Sequence, residues 1–404
     1  MIQEILVQLL QTFGEVLFRA FAFALPFLAF IIAWSLWRYY IVRNFIAKAE
    51  WVMLEVKLPK EHQKTPQAME VVLGAFHQFP TPPTWYDYWW LGKVPLWFSL
   101  ELVSINGAVH FFMKIQKSQR SIIENHIYSQ YPQAEIHQVP DYVGGINFEA
   151  PDSKWKMFGM EHVLVREDAY PIKTYVDYGL DRELLKEEQK VDPITSTIEF
   201  LGSLGEDEQA WIQIIIMAAQ PRFPKKDTWF GKEDWKGNAK ELLKKLLKRD
   251  AAPGFGPMMM LSPGERATVE AIERSMSKLG FDCGIRTLYF GKDKKFNPQN
   301  IANLFATFRQ YGSVTLNSFK PVRITSFNWW VDPFGWKLKE LKSSLFRAYV
   351  SRGYFYRPFK NVPPFTLNSE ELATIYHFPG AVSVTPTFSR IESKRAEAPI
   401  NLPI

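Results

Sequence analysis

Residues 96–116, LWFSLELVSINGAVHFFMKIQ, decide how this chain folds. Two β-rich runs flank Asn106-Gly107, a dipeptide suited to the left-handed backbone of a tight hairpin turn. Outward from the hairpin, WVMLEVKL (51–58) alternates as a strand. Residues 65–78 place Met69, Val72, Leu73 and Phe76 at helical spacing, with Thr65 as cap and Pro66 in the first turn. Residues 118–130 predict a second helix with Ile122, Ile123, Ile127 and Tyr131 on one face, and AEIHQV (134–139) a closing strand.

The resulting order, βαββαβ, is that of a split β-α-β unit of the ferredoxin-like type. The pattern recurs. HVLVRE and YPIKTYVDY (162–178) read as extended, Asp192-Pro193 opens a helix through Leu204, and WIQIIIMAA (211–219) suits a buried strand. A charged insertion, 221–257, then interrupts. Ser262 to Glu265 has capping-box spacing, FDCGIRTLYFG (281–291) reads as a strand, 297–311 as a helix and NSFKPV as a short extended piece.

Upstream lies AFAFALPFLAFIIAWSLW (20–37), uncharged between Arg19 and Arg38. Eighteen residues of helix span roughly 27 Å, close to the hydrocarbon thickness of a bilayer. Pro26 is tolerated in such a helix, Tyr39 to Val42 extend it by a turn, and no small-residue cleavage site follows. Arg38, Arg43, Lys48 and Lys57 outweigh the single Arg19, which orients the C-terminal side to the cytoplasm. The expected class is therefore α+β: a transmembrane helix, two ferredoxin-like α/β units and a C-terminal helical and linker segment. Expected boundaries are an amphipathic segment (1–19), the span (20–42), the first unit (50–145), the second unit (160–322), a helical segment (323–385) and a linker-like tail (386–404).

The single cysteine, Cys283, excludes an internal disulfide. Seven scattered histidines offer no metal-ligand spacing, and phosphate-loop, nucleophile-elbow and H-E-x-x-H motifs are absent from the sequence. A non-enzyme with no cofactor and no metal is expected. Charge is uneven: residues 222–250 carry ten Lys/Arg against five Asp/Glu, and residues 337–360 seven against one. Such asymmetry points to a membrane or nucleic-acid partner.

Three stretches are candidate interaction sites. Lys236, Lys240, Lys244 and Lys248 recur every four residues, with Arg249 beside them and Trp235, Ala239, Leu242, Leu243 and Leu246 opposite. This basic amphipathic helix suits lipid or phosphate contact, or a solvated face balanced by Glu233, Asp234 and Glu241. WYDYWWLGKVPLW (85–97) concentrates rings in a Pro-flanked loop, where Trp85, Trp89 and Trp90 suit a membrane interface, a subunit contact or core packing. Residues 326–360 mix aromatics with arginines, including Arg347 and Arg352, a composition shared by base-stacking platforms and protein interfaces.

The tail SEELATIYHFPGAVSVTPTFSRIESKRAEAPINLPI (369–404) resembles the segment preceding the motor in membrane-anchored conjugation-type ATPases, of the type IV secretion coupling-protein and FtsK/HerA-like group. TPQAMEVVLGAFH (65–77), WFSLELVSINGAVHFFMKI (97–115) and IENHIYSQYPQAEI (123–136) extend the resemblance over most of the chain beyond the span. The sequence stops at Ile404, where the motor would begin, so no nucleotide-binding residue carries over. The resemblance implies a bacterial inner-membrane assembly module that docks a separate motor ATPase, with DNA and a homo-oligomer as further expected partners. Leu372, Tyr376 and Phe378 are the expected docking anchors, with Arg390, Lys394 and Arg395 as their polar rim.

Overall fold

The computed structural model describes residues 2–59, 64–78, 84–148, 153–181, 191–224, 231–248 and 261–380. It divides into two units, Met1–Ala49 with Phe79–Leu96, and Glu50–Gln78 with Trp97–Ile404. Arg249 and the rim residues Arg390, Lys394 and Arg395 lie outside the described residues.

In the first unit a single helix, α1 (Ile2–Ala47), contains the apolar run and Pro26. It is long and apolar enough to cross a membrane, and from Thr12 almost every described side chain up to Ile32 is exposed.

The second unit is built on one antiparallel sheet. Its first half supplies β1 (Trp51–Lys57), α2 (Pro66–Leu73), β2 (Phe98–Ile105), β3 (Ala108–Gln116), α4 (Arg120–Gln130) and β4 (Glu135–Val139). A short helix, α3 (Trp85–Trp89), falls in the chain between α2 and β2 and belongs to the first unit. The second half supplies β5 (Trp155–Leu164), α5 (Ile194–Gly202), β6 (Glu208–Ala218), a two-residue ladder of β7 (Phe223–Pro224) and β8 (Lys232–Glu233), α6 (Trp235–Lys248), α7 (Pro263–Met276), β9 (Gly280–Lys292), α8 (Pro298–Ala306) and β10 (Phe319–Val322). α9 (Trp336–Val350), β11 (Phe365–Asn368) and α10 (Ser369–Ile375) follow.

Strand order is β10-β5-β9-β6-β2-β3-β1-β4, with β11 added against the start of β9. Each half runs in the same order from its outer edge: fourth strand, first, third, second. The halves meet where β2 pairs with β6, from Phe98 opposite Ile216 to Ile105 opposite Gln209. The expected units thus share one continuous sheet. The reason is in the strands: FSLELVSI and WIQIIIMA are buried along nearly their whole length, so neither makes an acceptable exposed edge.

One sheet face carries Leu100, Leu102, Phe111, Met113, Ile212, Ile214 and Ile285 against α2, α4, α5, α8 and α10. The other carries Val103, Phe112, Trp211, Leu288 and Phe290 against Leu345, Phe346 and Tyr349 of α9.

One extended reading and one loop reading are corrected. β5 begins at Trp155 and ends at Leu164, so 165–178 is irregular. There Pro171 removes a donor, Ile172 donates its N–H to a Glu371 carboxyl oxygen (2.8 Å), and Thr174 turns back on Asp177. Residues 85–89 are helical and not loop, because Thr84 and Asp87 cap the turn reciprocally.

Candidate membrane interface and buried polar row

Within the first unit, α3 rests beside residues 34–42 of α1. The ring centroids of Trp34 and Trp89 lie 5.2 Å apart and those of Trp37 and Trp90 5.8 Å. Trp37 donates its indole N–H to the Trp89 carbonyl at 3.2 Å. Arg38 places its guanidinium 3.6 Å from the Tyr88 ring centroid and donates to the Tyr88 carbonyl. A cation over an aromatic face is held by the ring quadrupole, which gives Arg38 a partner at the end of an apolar helix.

Two local features set this geometry. Asp87 anchors α3 twice, accepting from the Thr84 N–H (3.1 Å) and from Lys93 Nζ (2.8 Å). These bonds hold its carboxyl below the usual range. Gly92 has φ +65°, and a Cβ there would sit 2.5 Å from the Ile41 carbonyl carbon. Glycine is therefore required for the close approach. The outcome is a collar at the C-terminal end of the apolar run. Trp89 is half-buried against α1, while Trp85, Tyr86 and Trp90 face outward. Sequence reasoning selected Trp85, Trp89 and Trp90 but not their partners Trp34, Trp37 and Arg38.

The other predicted residues go elsewhere. α6 carries the lysine stripe, and Trp235, Ala239 and Leu243 are buried with Ala219, Val269 and Ile272. Its apolar face is thus covered by the protein itself. Lys240 and Lys244 point to solvent, Lys236 is half-buried, and the Lys248 side chain is outside what the structure describes. Arg347 is exposed on α9.

Arg352 is corrected from phosphate contact to core cation. It is buried, pairs with Glu101 (Nε to Oε1 3.0 Å) and with Asp141 (Nη1 to Oδ2 2.6 Å), and has no surface left for a ligand. Leu372, Tyr376 and Phe378 are likewise core residues, not anchors on a free surface. Tyr376 and Phe378 pack on Phe111, and Phe378 on Tyr131. α10 is pinned further by Glu370, which accepts from Thr174 Oγ1 (2.6 Å) and Arg274 Nε (3.1 Å).

A polar row crosses the face of the sheet beneath α9. In register, Glu161 faces Arg286, Arg286 faces Gln213, and Gln213 faces Glu101. Arg286 donates to Glu161 (2.8 Å) and to the carbonyls of Ala348 (3.1 Å) and Gly353 (2.7 Å). Gln213 donates to Glu101 (3.0 Å) and to the Tyr349 carbonyl (3.1 Å). The row binds carbonyls at and just past the C-terminal end of α9, of which those of Ala348 and Tyr349 also accept the Gly353 and Arg352 N–H groups. Its signal in the sequence is a charged or amide residue among apolar neighbours in each strand: Glu161, Arg286, Gln213 and Glu101. Arg352 holds the Glu101 carboxyl below its usual range despite full burial.

A helix able to cross a membrane, a ring collar at its end and an antiparallel α+β body together define the class of protein. Residues 44–390 match the model of a family described as a domain of unknown function (DUF8128), and the chain belongs to that family. No curated protein matches the sequence.

Proposed function

We propose that this chain is a non-enzymatic anchoring and assembly component of the bacterial inner membrane. α1 crosses the bilayer once, the body lies in the cytoplasm, and each half of the sheet is a ferredoxin-like unit. The body serves as platform for a separately encoded motor ATPase of a type IV secretion or conjugation-like machine. The observation that carries the anchoring is the collar: Trp34, Trp37, Trp89 and Trp90 gather at one end of the apolar run, with Arg38 sheltered over Tyr88. Tryptophan and tyrosine favour the headgroup level, so the collar marks where the helix leaves the hydrocarbon. Support for the two units is the repeated strand order. Support for the motor partner is the resemblance over 65–77, 97–115, 123–136 and 369–404. With Leu372, Tyr376 and Phe378 committed to the core, docking falls on other surface.

The test has two arms. Reporters fused at the C-terminus fix the topology: a cytoplasm-dependent reporter is active and a periplasm-dependent one silent. Affinity purification of the tagged full chain then recovers an ATPase encoded beside it, while the chain alone turns over no ATP. Periplasmic reporter activity overturns the orientation, and turnover by the pure chain overturns the non-enzyme reading.

A second reading, a membrane-tethered nucleic-acid binder, draws on Lys240, Lys244 and Lys245. They are exposed on α6 while its apolar side is packed, leaving a solvated basic face for phosphates.

A further inference from the structure

Residues 327–336, FNWWVDPFGW, place four large rings in solvent on the second unit. Trp329 is 78% exposed, Trp330 65%, Phe334 77% and Trp336 75%. So many exposed rings within ten residues of a folded body mark an interaction surface. We infer that this loop is a second membrane contact, one that seats its rings in the headgroup region of the bilayer that α1 crosses.

Four observations select lipid as the occupant. First, the loop is braced from within: Val331 N–H donates to the Asn328 carbonyl (2.9 Å), Gly335 N–H to the Asp332 carbonyl (3.2 Å) and Leu338 N–H, just beyond it, to the Asp332 carboxylate (2.8 Å). Pro333 has no N–H to satisfy, so with these bonds it lowers the number of backbone groups that partial dehydration would orphan. Second, the rings pair among themselves, Trp329 edge-on to Trp330 at 6.2 Å and Phe334 stacked on Trp336 at 5.4 Å. Pre-paired rings form a wedge, whereas a nucleic-acid platform needs open faces for successive bases. Third, Lys337 and Lys339 follow at the start of α9, with Arg347 farther along, and suit anionic headgroups. Lys337 reaches back to the Val331 carbonyl at 3.3 Å, beside the rings. Fourth, the body begins at Glu50, three residues after α1 ends, so a bilayer is held at high local concentration. This last argument rests on the reading of α1 as a span.

The test uses the full chain in nanodiscs of phosphatidylcholine and phosphatidylglycerol. Single cysteines carry an environment-sensitive dye at Trp329→Cys, at Val314→Cys (a 90% exposed control) and at Phe23→Cys in α1. Native Cys283 is fully buried, and burial pushes its thiol well up, so it stays unlabelled. The Trp329 probe is expected to be quenched by headgroup-proximal spin-labelled lipid roughly threefold more than the Val314 probe, with iodide showing the reverse order. A Trp329 probe that matches Val314, while Phe23 responds to lipid, overturns the loop proposal and leaves the span intact. A Phe23 probe open to iodide overturns the span, and the same two quenchers then decide the loop by themselves. A response of the Trp329 probe to added DNA but not to lipid also overturns the proposal and assigns the surface to nucleic acid.

Discussion

Arg352 and Glu101 form a fully buried, two-pronged ion pair between residues 251 apart in sequence, with Nε to Oε1 at 3.0 Å and Nη2 to Oε2 at 3.1 Å. The pair joins the end of α9 to the centre of the sheet. Arg352 adopts φ +50°, a left-handed conformation that terminates a helix and more often falls to glycine. The side chain explains the exception, because only a long, planar cation can reach both Glu101 and Asp141 from that position.

Removing one partner of this pair strands a buried charge. Arg352→Ala should destabilise the fold by about 3–5 kcal/mol, read as a lowered denaturant midpoint of the full chain. Arg352→Lys should recover only part, since a single ammonium cannot reproduce the fork. Unchanged DNA affinity in a folded Arg352→Lys variant is also expected; a selective loss of DNA binding would restore the phosphate-contact role.

Stability should fall as pH rises toward 8. Burial raises the Glu371 carboxyl to about 8, with Glu370 and Asp168 adding repulsion. Between its ordinary 4.5 and that value, the folded chain keeps a proton that the unfolded chain has released. The contribution is therefore complete below about 4.5 and is lost as pH climbs through about 8. Glu371→Gln carries no titrating proton, so its denaturation midpoint should drop less than wild type between about pH 6.5 and 8. Parallel pH profiles would reject Glu371 as the source.

Gly92→Ala should loosen the collar. A methyl group would collide with the Ile41 backbone, and φ +65° adds strain of about 1 kcal/mol. Protease accessibility of residues 84–96 should rise while unfolding of the sheet unit stays unchanged. No change in cleavage would show that α3 does not depend on this approach.

α6 separates into two faces by mutation. Trp235→Ala should cost about 3–5 kcal/mol, because the ring is packed against Gly280 and the α7 side chains. Lys240→Gln with Lys244→Gln should leave the denaturation midpoint nearly unmoved. If those lysines meet phosphates, the double variant lowers the salt slope of DNA binding by about 2. An unchanged slope identifies a solvated face.

A chain truncated after Asn368 should fail to fold. It loses Leu372, Tyr376 and Phe378 from the core together with the Glu370 and Glu371 hydrogen bonds. Limited proteolysis would show a loosened sheet, and a truncation as resistant as the full chain would contradict the core assignment.

By itself the sequence determined the apolar helix, the hairpin at Asn106-Gly107 and the βαββαβ order of the first half of the sheet. Each depends on neighbours: uninterrupted hydrophobicity, a turn dipeptide, and periodicity of 2 or 3.6. Tertiary structure decided what those elements do to one another. Periodicity cannot say that β2 and β6 will pair, since an apolar run fits any partner strand. Nor does composition separate Arg352 from Arg347; what separates them is which one the folded chain turns toward the sheet. One arginine meets Glu101 and is buried, while the other meets solvent. The same holds for aromatic rings: Tyr376 closes the core and Trp329 stands outside it, because burial is set by what the folded chain brings alongside, a relation spread over distant residues.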